Sequence, residues 1–282
     1  SNYVQDGEVL GKGAQGVVIK LKHKESGKIC CLKQVFLKDS STMQLAQVEM
    51  DIMTKLKHQN LIQCVSAKIH RNHALIQMEY ADKGDLDSIL KTSLSEKLLL
   101  NIVAQLTLGC HYLYKNRVIH RDIKPKNILI VTKAGQPLFK LADMGLSKLL
   151  DKTDDQTATQ LGTPYFMSPE CFSGIPYDYK SDIYSLGIVF YYLMEKVLPF
   201  KGRSYENQKK IVVLGTYDKI KSSYFSDEAK ELCYNMIQKS TTKRFNHQQI
   251  LTSNVMKQTM VELRQYYALI GADDVVLQIT DF

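Results

Sequence analysis

The string His120-Arg121-Asp122-Ile123-Lys124-Pro125-Lys126-Asn127 gathers a carboxylate, an ammonium and an amide closely enough to serve one reaction centre. Asp122 can accept a hydrogen bond from a hydroxyl about to attack, and Lys124 can lie against a group in transfer. Asn127 offers an amide oxygen to a hard divalent cation. Sixteen residues beyond Asn127, Asp143 opens Asp143-Met144-Gly145 and supplies a charged oxygen ligand. Such a pair suits Mg2+ (or Mn2+) held across two phosphates. The chemistry these groups share is phosphoryl transfer to a hydroxyl.

Two further features fit that chemistry. Gly11-Lys12-Gly13-Ala14-Gln15-Gly16-Val17-Val18 follows the pattern G-x-G-x-x-G-x-V, in which glycines let backbone amides approach phosphate oxygens. On its own the string also suits an empty turn or a dinucleotide site, but the latter needs a helix directly after the glycines. Here β-branched residues follow, so a hairpin is expected. Lys33 lies on the next strand, and Glu49 falls on the inward face of a following helix, beside Ile52 and Met53. A buried glutamate can hold a lysine over the α and β phosphates; the two residues alone leave an unrelated surface pair open.

The elements that must carry these groups are legible as periodicity. Val17-Val18-Ile19, Ile29 to Val35 and Leu75 to Met78 read as strands. Between them a helix is expected, capped by Ser40 or Ser41, with Leu45, Val48, Ile52, Met53 and Leu56 inward. After Gly84 the pattern turns helical: Ser95 to Tyr114, Lys180 to Lys196 and Asp227 to Lys239. Ile128-Leu129-Ile130 and Leu138 to Leu141 leave room for a hairpin, and Asp151 to Gln160 reads as a polar loop. Val261, Leu263, Tyr266, Tyr267 and Ile270 point to one more helix. The fold class is α+β: a small β-rich lobe (1–80), a hinge (79–84), a larger helical lobe (85–256) and a helical extension (257–282).

Composition narrows the partners. The 282 residues carry 37 Lys and Arg against 29 Asp and Glu, a net charge of +8, yet no block of five or six basic residues appears. Nucleic acid is therefore not an expected partner. No apolar run reaches the roughly 18 residues of a membrane span. Cys30, Cys31, Cys64, Cys110, Cys171 and Cys233 form no C-x-x-C pair and sit mostly in apolar segments, so they read as thiols in a reducing compartment. The chain opens on Ser1-Asn2 without Met, so a piece of a longer protein is expected.

Taken in order, the glycine string, Lys33, Glu49, the 120–127 string, Asp143-Met144-Gly145, Ser168-Pro169-Glu170, Asp182 and Arg244 resemble the eukaryotic protein kinase superfamily from about Leu10 to about His247. Lys124, together with Gly162-Thr163-Pro164-Tyr165, resembles serine/threonine kinases, and the string through Glu170 resembles NIMA-related and neighbouring groups. The resemblance implies a two-lobed fold and an ATP pocket made by Leu10, Gly11, Gly13, Gly16, Val18, Cys31, Lys33, Met78, Glu79, Ala81 and Leu129. In it Met78 is the gatekeeper, and the backbone of Glu79 to Ala81 holds the base. Asp85 is either a ribose contact or the cap of the next helix. Asp182 braces the catalytic loop, Glu170 pairs with Arg244, and Asn127 and Asp143 hold the metal.

The departures carry their own expectations. Met144 replaces the usual Phe and should stack with Met53, Cys64 and His120. Cys31 replaces an alanine and narrows the adenine site. Lys126 stands where many basophilic kinases carry a glutamate that reads substrate arginine, so it either favours acidic substrates or is simply solvated. Thr159, with Thr157 beside it, is expected to be phosphorylated by an upstream kinase or by the chain itself, and to pair with Arg121. The expected partners are ATP and protein substrates, and the expected location is cytoplasmic, with the nucleus also open. The rival reading is a pseudokinase that binds nucleotide without efficient transfer.

Overall fold

Strand-favouring residues in the first eighty positions build a five-stranded antiparallel sheet in the order β1-β2-β3-β5-β4. Its members are β1 (Tyr3–Gly13), β2 (Gly16–His23), β3 (Ile29–Phe36), β4 (Cys64–His70) and β5 (His73–Glu79). The computed structural model describes residues 2–13, 16–89, 92–143 and 164–282. Helix α1 (Ser40–Lys55) covers part of the sheet. Met50, Met53 and Ala46 pack there with Val35, Leu37, Cys64, Ala74 and Ile76 to form the small lobe's core.

Two details of α1 differ from the sequence expectation. The cap is Asp39, not Ser40 or Ser41: its Oδ1 accepts from Thr42 N at 2.9 Å, and Thr42 Oγ1 accepts from Asp39 N at 3.1 Å. The inward face is Thr42, Ala46, Met50 and Met53, whereas Leu45, Val48 and Ile52 are exposed by 41, 58 and 40%. Both stripes have helical spacing, so periodicity could not choose between them. The small Ala46 and pliable methionines mould to the twisted sheet, which β-branched Val48 and Ile52 do less readily.

The large lobe is helical: α2 (Leu86–Ile89), α3 (Glu96–Lys115), α4 (Pro169–Phe172), α5 (Tyr179–Glu195), α6 (Tyr205–Leu214), α7 (Asp227–Met236) and α8 (His247–Leu251). A hairpin, β6 (Ile128–Lys133) and β7 (Gln136–Leu141), lies between α3 and α4. Helices α3 and α5 are buried on nearly all sides. At Gly187 of α5 an added Cβ would come within 2.6 Å of Ile237 Cγ2, so glycine is what lets the chain after α7 pack there. The single helix expected near the end is two, α9 (Lys257–Leu269) and α10 (Asp273–Thr280), broken at Gly271, whose φ is +67°. Their residues Leu263, Tyr267, Val275 and Ile279 join the large lobe's core. None of the six cysteines is in a disulfide, as the sequence led one to expect. Among the described residues no helix is long and apolar enough to cross a membrane.

One buried ion pair ties α4 to the segment after α7. Arg244, 1% exposed, meets Glu170 through two hydrogen bonds of 2.6 and 2.9 Å. Its other donors reach the carbonyls of Gln238, Lys180 and Lys239, so all five N–H groups of the guanidinium are engaged. Burial pushes the Glu170 carboxyl up, but the Arg244 bonds and charge, helped by Ser181, outweigh it and hold the group below its usual range. A depressed carboxylate adds stability above its unfolded value and loses it as pH falls through the folded one. Arg244→Ala should cost about 3–5 kcal/mol by leaving Glu170 buried and unpaired. Denaturant titration at neutral pH checks this; a cost under about 1 kcal/mol would place the pair among ordinary surface bridges.

Candidate active site

The hairpin register brings the two proposed metal ligands together. Ile128 pairs with Leu141, so Asn127 immediately precedes one strand and Asp143 follows the other by two residues. The Ala142 amide donates to the Asn127 carbonyl at 2.8 Å and closes that end. Asn127 sits in a 3-10 turn (Pro125–Asn127), its Nδ2 donating to the Asp122 carbonyl at 2.9 Å and to Asp122 Oδ2 at 2.8 Å. Lys124 Nζ donates to the same Oδ2 at 2.8 Å. The ammonium of Lys124 and the amide of Asn127 thus converge on the carboxylate of Asp122.

Asp182 holds this loop from behind. It lies in the first turn of α5, 3% exposed, and accepts from the backbone amides of His120 at 2.7 Å and Arg121 at 2.9 Å. Arg121 has φ +67° and Asp143 φ +60°, a left-handed backbone that disfavours side chains. Such a conformation costs about 1–3 kcal/mol and persists where its surroundings fix it; at Arg121 the Asp182 carboxylate does so. Burial raises the Asp182 carboxyl even against those bonds, and burial lowers His120, which is therefore neutral and accepts the Asp122 amide at Nδ1.

The small lobe contributes Lys33. Register places Val18, Lys33, Cys31 and Met78 on one sheet face: Val18 opposes Lys33, Cys31 opposes Met78, and Cys31 and Lys33 are two apart on β3. Lys33, 5% exposed, reaches across the lobes to Asp143 Oδ1 at 2.7 Å. This corrects the expected pairing: the ion pair of Lys33 goes to Asp143 and not to Glu49, which is half-buried on α1 beside Met50. The opposite charge that this buried ammonium meets is that carboxylate. Burial raises the Cys31 thiol to about 11, so it is neutral on that sheet face.

Around the cleft the glycines pair β1 with β2, Gly11 opposite Val18 and Gly13 opposite Gly16. A strand follows the glycines, which removes the dinucleotide reading. A Cβ at Gly16 would collide with the Gln34 carbonyl, and its φ is +111°. Leu10 is half-exposed on β1. The hinge that includes Ala81 is stitched to β6 by Lys83 N to Ile130 O and Ile130 N to Gly84 O, and Asp85 bridges to Leu129. Asp85 Oδ1 accepts from Ser88 N at 2.9 Å, so the cap is formed. Met53, Cys64 and His120 are buried, while Met144, Thr157 and Thr159 lie outside the described residues.

Sequence reasoning missed Lys140. This buried lysine of β7 donates to Glu79 Oε1 at 2.7 Å, and the same oxygen accepts from Gln63 N at 2.7 Å, so the hinge is fastened from behind. Burial lowers the Lys140 ammonium against the pull of Glu79. A lone charge inside Leu138-Phe139-Lys140-Leu141 was the available signal. As a metal site, Asn127 and Asp143 supply only hard oxygens, which suits Mg2+ or Mn2+. Among the described residues no three His, Cys, Asp or Glu side chains form a cage.

Comparison with known proteins agrees with the geometry. The protein kinase domain family matches residues 4–256. The probable serine/threonine-protein kinase nek1 of Dictyostelium discoideum is 32% identical over 262 residues, covering 86% of this chain and 54% of that protein. Serine/threonine-protein kinase Nek3 of Mus musculus is 34% identical over 203 residues, 71% of this chain and 39% of its own. The smooth muscle myosin light chain kinase of Gallus gallus is 31% identical over 251 residues, 86% and 13%. The chain thus spans about half the length of these relatives or less, and the Nek names accord with the NIMA-related resemblance of its 162–170 string. With the fold, the register of the site and the family match in agreement, the chain belongs to the protein kinase family.

Proposed function

We propose that this chain transfers the γ-phosphate of ATP to serine or threonine hydroxyls of proteins. The observation that carries the reading is the bonded set Lys33–Asp143 and Lys124–Asp122–Asn127, in which Lys33 of the small lobe meets a large lobe that carries the other four groups. The serine/threonine assignment is supported by the names of the relatives and by Lys124 itself.

In this reading Lys33 leaves Asp143 for the α and β phosphates, which neutralise its charge better than one carboxylate. Asn127 and Asp143 hold Mg2+, which supplies charge neutralisation on the phosphates. The glycine hairpin closes over them with backbone amides. Asp122 orients the substrate hydroxyl and takes its proton late, while Lys124 turns from Asp122 to the phosphoryl oxygens. Catalysis is then mainly positioning and electrostatics. Lys126, exposed beside Asp122 in sequence, disfavours basic residues near the acceptor and favours acidic ones. Phosphate on Thr159, paired with Arg121, sets how readily the site assembles.

Radiolabelled ATP with Mg2+ and a peptide library should label Ser- or Thr-containing peptides, acidic ones most, beside an Asp143→Asn control. No labelling above that control rejects the proposal in favour of a pseudokinase. Asp122→Asn should lower kcat by about 10²–10⁴-fold with little change in the KM for ATP. Thr159→Ala should lose a phosphate by mass spectrometry and lower activity; an unchanged enzyme removes Thr159 as a regulatory site.

A further inference from the structure

Helices α9 and α10 lie beyond residue 256, where the family match ends, yet they bond to the joint between the two lobes. That joint is the segment 56–62, running from the end of α1 towards β4. Asn60 is its centre and is fully buried. Its carbonyl accepts the Leu141 amide at 2.8 Å, and Ile62 N donates to the Leu141 carbonyl at 2.8 Å, so the segment pairs with the end of β7 two residues before Asp143. Its Nδ2 donates to Gln105 Oε1 on α3 at 3.0 Å and to the Phe139 carbonyl at 2.9 Å.

The remaining acceptor, Asn60 Oδ1, is taken by the hydroxyl of Tyr267 on α9, at 2.8 Å. Two residues earlier, His58 completes a second contact. Its Nδ1 accepts from Asn60 N at 3.1 Å, which puts its proton on Nε2, and Nε2 then donates to Gln278 Oε1 on α10 at 2.9 Å. Gln278 Nε2 donates in turn to the Leu108 carbonyl of α3 at 3.0 Å. The two helices therefore hold the segment by side chains whose bonding capacity is filled in only one arrangement.

We infer that Tyr267 and Gln278 are positioning residues: α9 and α10 clamp segment 56–62, and through it fix Asp143 and the C-terminal end of α1. The path is short and bonded throughout: Tyr267 to Asn60, Asn60 to Leu141, two peptide units to Asp143, and Asp143 to Lys33. The clamp adds no group to the chemistry. It restricts where the metal-binding carboxylate can sit relative to Lys33. The consequence for nucleotide handling rests on the kinase reading above; the mechanical part does not.

The test uses the full chain with Tyr267→Phe, which deletes only the hydroxyl, and Gln278→Leu, which keeps the volume and removes the amide. Backbone hydrogen exchange is followed at Ile62 and Leu141, well below the melting temperature. Both amides should exchange faster in each variant, by about 2- to 10-fold. Binding of ADP is measured with and without Mg2+. The factor by which Mg2+ tightens ADP should shrink by a similar ratio, with metal-free ADP affinity nearly unchanged. A purely structural role would lower the melting temperature and speed exchange within α9 and α10 while leaving Leu141, Ile62 and the Mg2+ factor as in the parent; that result overturns the proposal. If the parent chain shows no Mg2+-dependent binding of ADP, the kinase reading fails, and exchange at Leu141 still decides the clamp.

Discussion

The ion pair between Lys33 and Asp143 is the constraint on which the site depends. Lys33 belongs to a strand of the small lobe and Asp143 to the end of a hairpin in the large one, and they meet at 2.7 Å. A buried ammonium without a partner is costly enough that the lobes cannot drift apart with Lys33 left where it is. Yet the pair alone is weak evidence of net stability, because desolvation offsets most of its Coulombic gain. What it supplies is alignment. The sheet face bearing Val18, Cys31 and Met78 is tied through Lys33 to the end of the hairpin that Asn127 precedes.

The charges of this cleft satisfy one another. Lys33 takes Asp143, Lys124 takes Asp122, and Asn127 spends its NH2 on Asp122. A ligand bearing both phosphates and a cation can replace every one of these contacts with a matched one: ammonium to phosphate, carboxylate to metal. A ligand with only one of the two leaves a partner stranded. Under the proposed function, this set of ordinary pairs would be selective for a metal–polyphosphate complex.

Contiguity decides how much of this was legible in the sequence. The 120–127 string could be read because its groups lie on one loop, and the hairpin because glycine and β-branched residues alternate with turns. The inward face of α1 could not, since Leu45, Val48 and Ile52 repeat at the same period as the buried Ala46, Met50 and Met53. The partner of Lys33 is a question of distance between lobes, which no local pattern encodes. Lys140 was marked only by being a charge in an apolar strand, and its partner Glu79 lies 61 residues away. The Asn60 network joins residues 60, 105, 139 and 267, none of which is unusual alone.

That network also bears on why the large lobe uses amides where aliphatic groups would fill the same volume. Leucines in place of Asn60, Gln105 and Tyr267 would pack a core without needing partners, and removing all the polar groups together can be nearly neutral. Removing one is not: Asn60 Oδ1 would be buried without a donor, at a cost of about 1–3 kcal/mol. A polar cluster of this kind therefore tolerates one arrangement of its members and penalises neighbouring ones. An apolar joint would let segment 56–62 slide by a fraction of a residue at little cost. The amide joint fixes its register with β7, and with it the place from which Asp143 reaches Lys33.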